Sequence, residues 1–453
     1  MKRLIVVVAV SAVFMVSLLV SSVLPQPIDY CEGNFDNDLD QDGSDAFVFK
    51  QDFGRSSLLD PCPVIACETA EQLAIEIEQL KTQVAQLTAL LTNVTRVGND
   101  ITFSGVNVHM VDGSGGTDGA VNGLGNLIVG YNELGNMNGD DRTGSHNIVV
   151  GSQNSYSSFG GLVAGQGNTI SGGYASVSGY NNTASGPYAT VSGGMGNTAS
   201  EQGTSVSGGY GNTASGPWSS VSGGQGNQAI GLYSSVSGGR SNQAIGMYSF
   251  VGGGGNENQE LGNWAVANYS AILGGSINTA GDLQGEDTSI GIYSTVSGGK
   301  NNNAFGESAS VSGGIVNKAS GLYASVGGGQ NNTASGSSAS VTGGRYNVAS
   351  GDYSFVGGGG STAADGNTAF AHYSAVLGGY DNLAGDPALT DHSIGEHSSV
   401  SGGYINTASG DDSSVSGGVA NTASGYRASV SGGNNRSATG SYDWVAGSLF
   451  EDL

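Results

Sequence analysis

At 453 residues the chain has room for several domains, yet 81 residues are Gly and only 11% are charged. That composition cannot furnish thick mixed cores and suits closely stacked, tightly turning backbone. The net charge of −24, with only 13 Lys and Arg, excludes a sequence-independent grip on nucleic acid or anionic lipid, since both need clustered cations against phosphate.

The chain opens with Met1, Lys2 and Arg3, followed by an apolar run from Leu4 to Leu24 that Pro25 and Pro27 end. Residues 1–24 are therefore predicted to be a signal peptide or an uncleaved signal anchor. Either outcome places the rest outside the cytoplasm, secreted or at a cell surface, on the bacterial outer surface or in the periplasm. Any membrane contact is confined to that anchor. Cys31, Cys62 and Cys67 suit an oxidising compartment, with Cys31–Cys62 and Cys62–Cys67 both open as pairings.

Residues 28–60 hold an acidic loop in which Asn34, Asp36, Asp38, Asp40, Asp42 and Asp45 occupy loop positions 1, 3, 5, 7, 9 and 12. A hard cation needs six to eight oxygens around it, and this spacing delivers them, position 7 through its carbonyl. A structural calcium ion is the predicted cofactor, with a helix from Ala46 to Phe53 behind the loop. The run resembles one half of a dockerin-type calcium repeat, a relative of the EF-hand. Leu39 stands where the EF-hand has Gly and only one repeat is present, so the resemblance implies no cohesin partner.

Leu73, Ile77, Leu80, Val84, Leu87, Leu91 and Val94 alternate spacings of four and three, the seam of a coiled coil. Residues 69–97 are predicted to form it, ended by Gly98, with 98–125 as a neck or adapter. β-branched Ile77 and Val84 alternating with Leu80 and Leu87 favour parallel copies, with dimer and trimer both open.

From residue 126 to 448 short repeats take over. Val recurs every 15 residues from Val191 to Val251, from Val296 to Val356 and from Val400 to Val445, each within a unit such as Tyr233–Gly246. Two short alternating segments separated by Gly turns make one coil, so the predicted fold is all-β, a parallel β-solenoid of about 15-residue coils. Alternation turns Val, the small residue two before it (Ser219, Ala309, Ala324), Asn and Ala inward. In-register asparagines, from Asn197 to Asn242, Asn302 to Asn347 and Asn406 to Asn421, are predicted to form a ladder. Three residues before Val, an aromatic stripe (Tyr188, Trp218, Tyr233, Tyr248, Tyr323, Tyr353) faces outward, packed on itself or offered as a sticky track.

These repeats resemble the head of trimeric autotransporter adhesins, the YadA-like roll with haemagglutinin-type repeats. The resemblance implies a left-handed β-roll, a homotrimer and adhesion to a cell-surface, matrix or glycan ligand. The coiled coil here precedes the head, and the tail at 449–453 carries no membrane-barrel anchor, so autotransport does not follow.

The rhythm breaks twice alike, between Val251 and Val296 and between Val356 and Val400, and Tyr248–Gly255 repeats as Tyr353–Gly360. A unit of about 105 residues is duplicated. The extra residues, Asn256–Trp264, Asp282–Asp287, Asp365–Thr368 and Asp386–His392, are predicted loops. No catalytic motif stands out, so the chain is predicted not to be an enzyme, with a carbohydrate-active β-helix as a minor alternative. Thr-Ala-Ser recurring at Thr198, Thr213, Thr333, Thr407 and Thr422 raises a sharper rival, an ice-binding or other water- or glycan-binding solenoid.

Overall fold

A computed structural model describes residues 65–256, 262–282, 284 and 287–446, with side chains from residue 71 onward. The predicted signal segment, the calcium-loop residues Asn34 to Asp45, Cys31, Cys62, the side chain of Cys67 and the tail at 449–453 lie outside the described residues. The chain divides into two units, Met1–His109 and Met110–Leu453.

In the first unit, helix α1 spans Ile65–Leu90 without a Gly or Pro. Of the heptad residues, Leu73, Ile77, Leu80 and Val84 are exposed along it, and Leu91, just past its end, is exposed too. The helix stops short of the expected residue 97. Val94–Val97 instead forms strand β1, antiparallel to β2 (Asp100–Phe103), with Val94 opposite Phe103. β-branched Thr92, Val94, Thr95 and Val97 favour strand over helix, and Gly98 at φ 59° closes the two-residue turn.

The second unit is a parallel β-solenoid of about 19 coils of ~15 residues. At ~4.8 Å per coil its axis runs about 90 Å. Two parallel ladders run its length. The first sheet begins with β3 (Leu127–Val129) on β4 (Ile148–Ser152) and continues through Ser220–Val221 paired with Ser235–Val236 to Trp444–Val445. The second begins at Ser155–Tyr156 and continues through Thr213–Ala214 paired with Gln228–Ala229 to Ser437–Ala438.

Most strands are two residues long because Gly turns bracket each Val or Ala. The inward residues fix the register, since a one-residue slip would turn every Val to solvent. Val206, Val221 and Val236, with Ala199, Ala214 and Ala229, form one continuous buried column. The small residue two before Val is buried beside it, as at Ser219, Ala309 and Ala324.

The asparagines form the expected ladder, although its rungs run through the backbone. The Asn212 N–H donates to Asn197 Oδ1 at 2.9 Å, while the Asn212 amide donates to the carbonyls of Gly208 and Gly224, each at 2.9 Å. Each asparagine thus ties its turn to the coils on both sides, its N–H to the preceding asparagine and its side chain to its own turn and the following coil. Asn263 and Asn367 hold the same place after the insertions, their N–H groups donating to Asn242 Oδ1 and Asn347 Oδ1. The inserted segments accordingly end earlier than the sequence suggested, because Trp264 and Thr368 already pair within the second sheet.

The N-terminal edge of the second sheet is covered. Tyr156 N–H donates to Asp141 O at 2.7 Å, and Arg142 holds the carbonyls of Asn132, Glu133 and Asn154. A segment folded along an open edge in this way blocks stray strand pairing.

Candidate functional site: the aromatic edge and the inserted loops

Every coil must turn sharply just before its first strand, and the turning residue takes a left-handed conformation. Tyr188, Trp218, Tyr233, Tyr248, Tyr323 and Tyr353 all sit there, at φ between 56° and 60°. Side chains other than Gly and Asn adopt this region at a cost of about 1–2 kcal/mol. The column therefore keeps its aromatics against a backbone preference. The sequence stripe located them correctly as outward-facing but gave no hint of that geometry. Gly203, at φ 66° in the same column, was the available signal, since a Gly alternating with aromatics marks a left-handed site.

The rings stack on one another. Tyr233, Tyr248, Tyr269 and Tyr293 form a run with centroid separations of 5.0, 5.2 and 5.1 Å. Tyr353, Tyr373 and His397 form another, at 5.0 Å for each pair. The inner rings of a run have both faces occupied by their neighbours, so only their edges and hydroxyls meet solvent.

Tyr323 differs. Ser308 and Ser338 occupy the column on either side of it, so no ring of the column stacks on its faces, and it is 58% exposed. Toward the C-terminus the column turns polar: Asp412 lies 3.6 Å from His397 and 3.3 Å from Arg427, whose guanidinium sits over Tyr426 and Tyr442.

The duplicated insertions build two matching loops. Asp287 accepts hydrogen bonds from the Ser289 hydroxyl and N–H, at 2.6 and 2.8 Å. Asp391 does the same with Ser393, at 2.7 and 2.9 Å. The serine hydroxyl, then the N–H, holds each carboxyl below its ordinary range, with His372 and His392 adding to the effect at Asp391.

The second loop folds over the second sheet. His392 stacks on Phe370 at 4.1 Å, and His372 Nδ1 accepts the Asp352 N–H at 2.9 Å. In the insertion before Thr368, Asp365 is capped by Ser361 and Thr362, chiefly by the Ser361 hydroxyl, and titrates at about 2. Burial, then the charge of Asp365, pushes Asp381 up.

Among the described residues no group of three or more His, Cys, Asp or Glu is placed to hold a metal ion; the predicted calcium ligands lie outside them. The threonines do align between coils: Thr183, Thr198 and Thr213 pair in register. Thr169 precedes them in the same row, which then passes to Gln228, Gln243 and Trp264, so its threonine face is four coils deep. Comparison of the chain with family models and with curated proteins found no match.

Proposed function

We propose that the chain is an exported, non-enzymatic structural and adhesive fibre protein, built of parallel copies and attaching to surfaces through the aromatic edge of its solenoid. Val, Ala and Asn fill the interior of each coil, leaving the outer columns as the place where a partner can be met. The observation that carries the reading is the column of left-handed aromatics, which Tyr or Trp fills in most coils despite the conformational cost. Adhesin-like heads, which the repeats resemble, assemble as trimers, and the seam on α1 fits such an assembly.

Tyr323 is the best-placed contact for a glycan, because an open ring face can stack on the apolar face of a pyranose while the flanking serines offer hydroxyls. Binding of the full chain to glycan arrays, extracellular matrix and whole cells tests this. Tyr323→Ser is expected to lower binding about tenfold, the loss of one aromatic anchor, while Tyr248→Ser, whose faces are already covered, changes it little. Equal binding by wild type and Tyr323→Ser contradicts the role of this edge. The Thr183–Thr198–Thr213 row supports a second reading, the ordering of ice or water, and thermal hysteresis in the wild-type protein would favour it.

A further inference from the structure

The first sheet carries two outward columns, one residue on each side of the buried Val, and neither contains an Asp, Glu, Lys or Arg on any strand. This is notable in a chain of net charge −24, whose copies repel one another wherever their acids face. Most positions are Ser, Thr or Gly, as at Ser205, Ser207, Ser220 and Ser222. Apolar residues replace them in four places. The first three strands present Leu127, Val129, Ile148, Val150 and Leu162 outward, all exposed. Farther along come Phe250 with Leu273 and then Phe355 with Leu377, the two leucines 59% and 57% exposed. The last strand adds Trp444, 69% exposed.

The second sheet offers no comparable face, since Lys318 stands in its outward column and His392 from an inserted loop covers Phe370. We infer that the outward face of the first sheet is where a second copy of this chain packs, parallel and in register. The pattern itself identifies the occupant. Counted along the sheet, the apolar places fall at strands 1–3, 9–10, 15–16 and 20. An identical face set at equal height brings all four together. An antiparallel copy sets strands 9–10 against 11–12 and strands 15–16 against serines. A shift of six strands matches Phe250 and Leu273 with Phe355 and Leu377 and Leu162 with Phe250, and leaves strands 1–2 and Trp444 facing no apolar residue.

Rotational symmetry about an axis along the rod provides equal height, and small residues between the apolar places allow close backbone approach. The seam on α1 independently calls for the same parallel partner. This inference rests on the self-association proposed above and adds the face through which it occurs.

The test uses the full chain after signal removal, with Leu273→Cys and Leu377→Cys together, expressed unlabelled and with heavy nitrogen, mixed, refolded and treated with a short bismaleimide. Mass spectrometry identifies which cysteines are joined. Like-with-like links, 273 to 273 and 377 to 377, between light and heavy chains are expected, at a yield independent of dilution. A separate Ser335→Cys variant, on the second sheet, is expected to stay unlinked. A single-chain mass before cross-linking overturns self-association and this face together. A multi-chain mass without like-with-like links, with links from 273 to 377, or with links only at 335 overturns the face alone.

Discussion

Asn332 shows how much one side chain does in each coil. It is fully buried, its Oδ1 accepts the Asn347 N–H at 2.9 Å, and its amide reaches Gly328 O at 2.7 Å and Gly344 O at 2.9 Å. Truncation leaves the Asn347 N–H and the Gly328 carbonyl without their partner, each worth about 1–3 kcal/mol, while Gly344 O keeps the Gln330 N–H. Relaxation recovers part of that, so Asn332→Ala is expected to destabilise its coil by about 2–4 kcal/mol. Faster amide exchange in the coils around Asn332, with distant coils unchanged, is the expected reading, because neighbour interactions dominate a solenoid.

The paired glycines separate in the same way. At Gly344, φ is +83° and a Cβ would meet Gly359 O at 2.2 Å, whereas at Gly343 it would meet nothing within 4 Å. Gly344→Ala is therefore expected to lower the melting temperature and Gly343→Ala to leave it nearly unchanged. Sequence alone makes the two look alike; only the contact with the next coil tells them apart.

At the scale of elements, the two-residue strands and their order were legible because the 15-residue interval states the pairing directly. The Asn column was legible too, but its bonding to backbone was not, since spacing does not reveal which carbonyl a side-chain amide reaches. The seam of α1 was read past its true end because Val94 continued the heptad, while the β-branched residues around it set a hairpin instead. The inserted loops were found by broken rhythm, and their internal bracing was not.

Asp365 gives that bracing a pH signature. Its folded pKa of about 2 lies below the ordinary 3.8, so its contribution to loop stability is present above that ordinary value. It is lost as pH falls through about 2. Amide exchange at Ser361 and Thr362 is expected to accelerate across that window. The interior of the coils, which holds no titratable side chain in its Val, Ala and Asn columns, should keep its protection. Simultaneous loss of both would place the acid sensitivity in the solenoid itself.

For the whole molecule, the composition that excluded a thick core also set its consequence. One Val, one Ala and one Asn per coil bury little apolar area, so stability accumulates along the ladder, and the proposed packing of copies adds to it. The sequence carried the repeat and the seam, and it did not show which face lacks charge, because strand alternation scatters that face through the chain. Only the paired register gathers Leu127, Ile148, Leu162, Leu273, Leu377 and Trp444 onto one side. Static light scattering on the chain lacking its signal segment tests the central claim that this rod works as a bundle of parallel copies. Two or three chains per particle, stable on dilution to micromolar concentration, is the expected result. A folded particle of a single chain, below the 45.1 kDa of the full 453 residues, would contradict it.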